Sequence, residues 1–365
     1  MCRTKCTPAT YGAVTNSSPE GLCPAVSIVM PLYNCAAYLP QALQSLADQT
    51  CQDFELILVD DGSADDTLAI ARRFAALRPM TCVLEQQHRF AGAARNLGMQ
   101  HAAGEYLLFL DGDDIFDPAL VEKAVGRIRS TGADICVWRA LNLDDKTGKV
   151  EVANNTCDAR FYPASLEFNR ESNPDCIFCF TSPSPWTKLF RTDFIRRQGL
   201  EFQTTRSAND VLFVELALAL AGKIAILDDN LITYRKNTGT SLQATQRKAP
   251  LAFYEAIVAL RDELRKRGIL GEVNTAFLNL AAEMSAYNLY TLRHTPDAQE
   301  AVFDMLRNEG LAELGLAKAP DSLFFFTPIL YRRSFLRLRS AKTYRRFRRG
   351  EARDDLLRTL RRRLP

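Results

Sequence analysis

The chain has 365 residues, 47% of them hydrophobic. That is enough for a sizeable core in two domains, or in one large domain with an appendage. No stretch approaches the ~20 apolar residues that a membrane-spanning helix needs, so no such helix is expected. The formal charge of +3 hides an asymmetry. Residues 331–365 hold 13 arginines and one lysine against three acids, a net +11, so the rest of the chain carries −8. A basic tail on an acidic body points to an anionic surface as partner.

Residues 1–24 are rich in Thr, Ser and Pro, lack a secretory apolar core, and read as a flexible leader. Residues 26–30 read as a first strand, ended by Pro31-Leu32-Tyr33-Asn34. Helical periodicity follows over 36–47, with Leu39, Ala42, Leu43 and Leu46 on one side. Residues 54–59 form a second strand that runs into Asp60-Asp61-Gly62-Ser63. A helix through Leu77 opens with Asp65 as cap and Pro79 beyond its end. Residues 81–84 are a third strand, 92–102 a helix, and 106–110 a fourth strand ending in Asp111-Gly112-Asp113-Asp114. Strand and helix alternate with short links, so this half is an α/β layer with a mainly parallel sheet. A helix fits 118–129 and a strand 134–138. The pattern is irregular over 141–205. Residues 211–221 are an apolar helix, 224–227 and 231–234 short strands, and helical periodicity dominates 251–316.

Ten cysteines without a signal peptide argue for reduced thiols and a cytoplasmic protein. Cys176 and Cys179 form the one C-x-x-C. It lacks a second pair and a His at zinc spacing, so buried thiols are expected rather than metal or redox use. His88, His101 and His294 are scattered and receive no role.

The chemistry concentrates in Asp111-x-Asp113-Asp114. Three carboxylates at the end of a buried strand repel one another unless a cation sits among them. Oxygen ligands suit Mg²⁺ or Mn²⁺, and Mg²⁺ takes one or two protein carboxylates plus substrate phosphates. A solvated acidic turn capping the next helix is the bland alternative. Upstream, the start of the 92–102 helix and Arg95 could receive a diphosphate. No G-x-G-x-x-G or P-loop pattern is present, which disfavours dinucleotide and P-loop readings.

The ordered blocks 26–34, 54–63, 94–98 and 104–114 resemble a family 2 glycosyltransferase of GT-A fold, closely over about 24–140 and more loosely through Pro185-Trp186-Thr187-Lys188-Leu189-Phe190 to about Ser241. The resemblance implies a GT-A domain over 25–245, with a nucleotide-sugar half (25–140) and an acceptor half (141–245). A helical region (246–330) and a basic amphipathic tail (331–365) follow. It implies sugar transfer from a nucleotide diphosphate donor, usually of uridine, with inversion at the anomeric carbon. Pro31 and Tyr33 would line the base pocket. Asp60, together with Asp61, would meet base or ribose, Arg95 the base or diphosphate, and Asp111 the ribose. Asp113 would hold Mn²⁺ or Mg²⁺, and Asp114 would share it.

The family also needs a carboxylate base, often in a Glu-Asp pair before an apolar helix. Here Ser207-Ala208-Asn209-Asp210-Val211 stands in that place. Asn replaces Glu, and Asp210 remains as the expected general base, with capping of the 211 helix as its rival role. Asp193 and Asp175 are weaker alternatives. Phe335, Leu338, Tyr344 and Phe347 among the tail arginines resemble an interfacial helix on anionic lipid. That implies a glycan or lipid-linked acceptor at the inner membrane face. No nucleic-acid recognition motif accompanies the charge. Two other classes stay open: a D-x-D phosphatase, disfavoured because Asp114-Ile115-Phe116 follows where a Gly-Thr-like turn would stand, and a non-catalytic sugar-nucleotide binder with an incomplete Asn209-Asp210 pair.

Overall fold

The computed structural model describes residues 23–153, 156–238, 248–320 and 322–323. The leader, apart from its last two residues, and the basic tail lie outside the described residues.

Four strands, β1 (Val26–Leu32), β2 (Phe54–Asp60), β3 (Thr81–Glu85) and β4 (Tyr106–Phe109), alternate with the helices α1 (Leu39–Ala47), α2 (Thr67–Leu77) and α3 (Phe90–His101). The strands pair in the order β3-β2-β1-β4, all parallel. Both faces of this sheet are covered, so its strands are apolar almost throughout. Alternate residues feed opposite sides. Val29, Ile57, Val59 and Phe109 face the layer that holds α3. Ile28, Met30, Leu56, Leu58 and Leu108 face the layer that holds α1. Because every strand points the same way, Leu32, Asp60 and Leu110 end at one edge, where open α/β sheets bind ligands.

Beyond β4 the sheet becomes mixed. It continues with β5 (Ile115–Phe116), α4 (Leu120–Thr131), β6 (Ile135–Asp144), β7 (Val150–Val152), β8 (Glu167–Phe168), β9 (Lys188–Arg191), α5 (Thr192–Gln198), α6 (Val211–Leu220) and β10 (Ile224–Lys236). The order runs β4-β9-β6-β10-β5, with β9 antiparallel to both β4 and β6. The parallel pattern expected from sequence therefore holds for the first half and gives way at β9. That strand is only four residues long and preceded by Pro183 and Pro185, which hid it among the irregular stretch. The two short strands expected at 224–227 and 231–234 are one long strand, β10, with register shifts on β6 between Ile226 and Ile232.

The helical region folds as α7 (Ala252–Lys266), α8 (Asn274–Thr291), α9 (Pro296–Met305) and α10 (Leu311–Glu313). It packs on α6, and Ile257, Leu260, Phe277 and Ala281 join the same apolar layer as Phe213. An aromatic cluster locks the halves together. Phe109, the last residue of β4, meets Phe202 edge-on at 4.9 Å and Phe213 at 5.6 Å. Phe202 and Phe213 stack at 3.9 Å. The segment between them, which carries Asn209 and Asp210, is thereby held beside the acids that follow β4.

Candidate active site

The site forms where β1, β2 and β4 end. At β1, Tyr33 is a large aromatic side chain left 48% exposed. Asn34 ties this end to the next turn: its N–H donates to Ser63 Oγ (3.1 Å) and its Oδ1 accepts from the Ala64 N–H (2.8 Å). Asp60 is buried, with Oδ2 accepting from the Ser63 N–H at 3.1 Å. Its other oxygen, Oδ1, is buried with no hydrogen-bond partner. An orphaned carboxylate oxygen at a strand end is costly unless a ligand satisfies it.

Asp61 is engaged by the protein itself. Its Oδ1 accepts from Gln86 Nε2 and the Arg89 N–H, both at 2.7 Å, and its Oδ2 lies 2.8 Å from His88 Nδ1. The His88 ring stacks on Tyr33, centroids 4.1 Å apart and planes at 24°.

The acidic turn after β4 is tight because Gly112 lies against β1. A Cβ at Gly112 would stand 2.8 Å from Leu32 Cδ2. Asp114 is buried. Its Oδ1 accepts from the Arg235 N–H at 2.9 Å, while Oδ2 has no partner. The Arg235 side chain grips the same turn, donating to the Asp113 carbonyl (3.0 Å), Asp145 (2.7 Å) and Gln41 (2.6 Å). Burial, with Asp111 adding to it, pushes the Asp113 carboxyl up to about 6, against the pull of Arg235. Burial and both neighbouring acids push Asp114 well above the usual carboxylate range. Crowded, partly orphaned carboxylates of this kind fit a hard divalent cation. Among the described residues no three His, Cys, Asp or Glu side chains converge as a complete metal cage.

Arg95 joins the halves. Buried on α3, it donates Nη2 to Asp111 Oδ1 at 2.7 Å and Nη1 to Asn209 Oδ1 at 3.1 Å, while Nε is buried without a partner. Its neighbour Asn96 latches the backbone of Phe202, donating to its carbonyl and accepting from its N–H, both at 2.8 Å. Close approach here requires glycine: a Cβ on Gly92 would lie 2.0 Å from the Gln203 carbonyl oxygen. Asp210 occupies the cap position of α6, yet its side chain makes no capping hydrogen bond. Burial raises its pKa, Arg95 and Lys188 pull it down, and Asp111 pushes it up. Lys188 is fully buried, donating to Thr181 Oγ1, Thr187 Oγ1 and the Ser182 and Ser184 carbonyls at 2.8–3.1 Å. Asp193, the weaker alternative base, lies at the far end of the sheet. It follows Thr192, whose N–H and Oγ1 bind the Glu105 and Gly104 carbonyls before β4 begins.

Residues 27–184 match the family model described as Glycosyl transferase family 2. This match and the named relatives support a family 2 glycosyltransferase domain over these residues. The glycosyltransferase is 28% identical over 221 residues to glycosyltransferase GlyG of Streptococcus pneumoniae, a match spanning 60% of this chain and 73% of the relative. Among solved structures it resembles residues 1–349 of Staphylococcus aureus TarS in complex with UDP-GlcNAc, with TM-score 0.64, 21% identity, and coverage of 88% of this chain and 91% of that one. A mannosyltransferase of Pyrobaculum calidifontis, solved with GDP-Man and Mn²⁺, superposes with TM-score 0.51 at 16% identity, over 88% of this chain and 87% of that one. These two likenesses establish the GT-A fold. With the family in hand, the phosphatase and non-catalytic readings fall away.

The transferase brings Tyr33, Asp60, Arg95, Asp111, Asp113, Asp114 and Asp210 to one edge, with Pro31 at the end of β1. Sequence reasoning missed His88, Arg235 and Lys188. An isolated His and two basic residues carry no spacing signal, and only the fold shows that His88 and Arg235 meet acids and that the charge of Lys188 acts on Asp210.

Proposed function

We propose that this glycosyltransferase is an inverting enzyme that moves a sugar from a uridine diphosphate donor to a hydroxyl of a glycan or lipid-linked acceptor. The observation that carries the reading is the Arg95 bridge. One guanidinium spans the acidic turn after β4 and the loop that bears Asp210, so donor and acceptor chemistry share one site. The orphaned Asp60 Oδ1 suits an imide N–H such as that of uracil. TarS was solved with UDP-GlcNAc and the mannosyltransferase with GDP-Man and Mn²⁺, which supports a nucleotide-sugar donor with a divalent cation.

Asp113 and Asp114 would hold the cation, which supplies charge neutralisation for the diphosphate. Arg95 adds fixed positive charge on the same side. The acceptor hydroxyl gives its proton to Asp210 as its oxygen bonds to the anomeric carbon, and the bond from that carbon to the diphosphate oxygen breaks. The products are the inverted glycoside and the nucleoside diphosphate. A buried Asp with a raised pKa is a stronger base than a solvated one. Arg95 and Lys188 favour its ionised form against burial.

The test is donor hydrolysis across a panel of nucleotide sugars with Mn²⁺, Mg²⁺ or EDTA, for the wild type and Asp113→Ala. Metal-dependent release of UDP from one donor, lost in the variant, supports the reading and names the sugar. No turnover together with no metal-dependent nucleotide binding overturns it.

No helix among the described residues is long and apolar enough to cross a membrane. The net +11 of residues 331–365 supports contact with anionic lipid at the cytoplasmic face. Flotation with phosphatidylglycerol vesicles should fail when residues 331–365 are removed. Equal flotation of both forms would remove the membrane contact.

A further inference from the structure

We infer that His88 is a positioning residue of the nucleotide pocket: pinned by Asp61, it backs the Tyr33 ring and holds it as a rigid platform for the donor's base. The inference rests on the uridine-donor reading above and adds to it a residue that touches no ligand.

Four observations converge on it. Tyr33 leaves nearly half its surface open, and at 4.1 Å one face of its ring is covered by imidazole, leaving the other for a planar partner. An exposed tyrosine at a strand end ordinarily samples several rotamers, and a base that stacks on it must then freeze that motion. Here the freezing is built in. The His88 ring is itself fixed, because Nδ1 lies 2.8 Å from Asp61 Oδ2 and 3.2 Å from the Asp61 carbonyl oxygen. Asp61 is buried and cannot follow a moving ring, since its Oδ1 is held by Gln86 and the Arg89 backbone. A carboxylate on Nδ1 favours the tautomer with the proton there.

Phe90 meets the imidazole edge-on at 4.8 Å. It adopts φ +69°, a left-handed conformation that bulky side chains rarely take. Strain of this kind persists where the surrounding structure enforces it and gathers at ligand sites. The strained residue starts α3, the helix that carries Arg95 and Asn96. Asp60, whose Oδ1 is buried without a partner, directly precedes Asp61 at the end of β2. The residues of the Asp60-Asp61 pair thus divide the work: one oxygen of Asp60 stays free for the ligand, and Asp61 holds the wall.

The experiment measures UDP binding by titration calorimetry in the presence of Mn²⁺, for the full-length wild type, His88→Ala and His88→Phe, with melting temperatures as control. His88→Ala should weaken UDP by about fivefold, ~1 kcal/mol. It should raise the donor KM while leaving kcat within about twofold, because only binding uniform to ground and transition state is lost. His88→Phe keeps a ring against Tyr33 but loses the Asp61 bond, and should recover only part of the affinity. Wild-type UDP affinity in folded His88→Ala overturns the role of His88 and leaves the donor reading standing. If His88→Ala does not fold, His88→Phe decides: affinity as low as that of Tyr33→Ala overturns the proposal. A wild type that binds no UDP overturns both the donor reading and this inference.

Discussion

The two halves of the sheet place their chemistry by different means. In the first, the candidate acids end or follow a buried parallel strand, and backbone register sets their position. Leu32 pairs with Asp60 across β1 and β2, and Val29 with Phe109 across β1 and β4. In the second, Asp210 sits in a loop that no strand carries. It is held by side chains sent across from α3, Arg95 to Asn209 and Asn96 to Phe202, and by the stacked Phe202 and Phe213 rings. Variants in the first half should therefore remove chemistry, and variants at the seam should remove alignment.

The largest effects test the chemistry itself. Asp113→Ala should abolish metal-dependent use of the donor. Asp210→Asn should lower kcat by about 10²–10⁴, the usual contribution of a general base, while UDP binds as before. Steady-state kinetics beside calorimetry separates the two. Near-normal transfer by Asp210→Asn would remove the base assignment.

Alignment comes next. Asn96→Ala breaks both bonds to the Phe202 backbone and touches none of the acids. A catalytic group displaced by an ångström can cost about 10²-fold. We expect kcat to fall by about 10–100-fold with donor affinity unchanged, and stability to fall by about 1–3 kcal/mol for two hydrogen bonds. A loss of donor affinity equal to the loss of kcat would place Asn96 in the first half's work instead.

The same contrast decides what was legible in the sequence. Asp60, Asp111, Asp113 and Asp114 announce themselves because each ends an apolar run whose period fixes its direction. Arg95 and Asn96 are visible as a pair, yet nothing in their spacing says that they reach 114 and 106 residues ahead. The leap from β4 to the antiparallel β9 was hidden by prolines and by the shortness of the strand. His88 and Arg235 have ordinary neighbours in sequence and acidic neighbours only in space. Asp210 is singled out only through the family resemblance, which places a carboxylate before the apolar helix, and its side chain makes no hydrogen bond that caps that helix.

Smaller, and opposite in sign, is the cost of the acidic turn to the fold. With its carboxyl pushed up to about 6, Asp113 in the folded chain keeps its proton where the unfolded chain has released it. Stability without metal is therefore lost as pH rises from the ordinary carboxylate range through about 6, and at pH 7 the ionised group is a burden. Asp113→Asn should stabilise the metal-free protein at pH 7 by on the order of 1–3 kcal/mol, with the gain shrinking toward pH 4. Melting curves in EDTA across that range check it. A variant less stable than wild type at pH 7 would mean that Arg235 and the backbone already compensate the charge.

The smallest effect probes the seam where Asn209 stands beside the proposed base, Asp210. Asn209 Oδ1 takes one branch of Arg95 at 3.1 Å, so Arg95 meets a single carboxylate, Asp111. Its remaining positive field acts on Asp210 and, with Lys188, opposes the burial that raises Asp210. Asn209→Glu would give Arg95 a second carboxylate and place a like charge beside Asp210. Both push the Asp210 pKa further up. The acid limb of the kcat profile should move to higher pH, with the rate on the plateau changing only a few-fold. A shift to lower pH would show that the new carboxylate acts on Asp210 chiefly by ordering its loop, and an unmoved limb would show that the Arg95 charge does not reach the base. Either result would separate what Arg95 does as a bridge between the two halves from what it does as a charge.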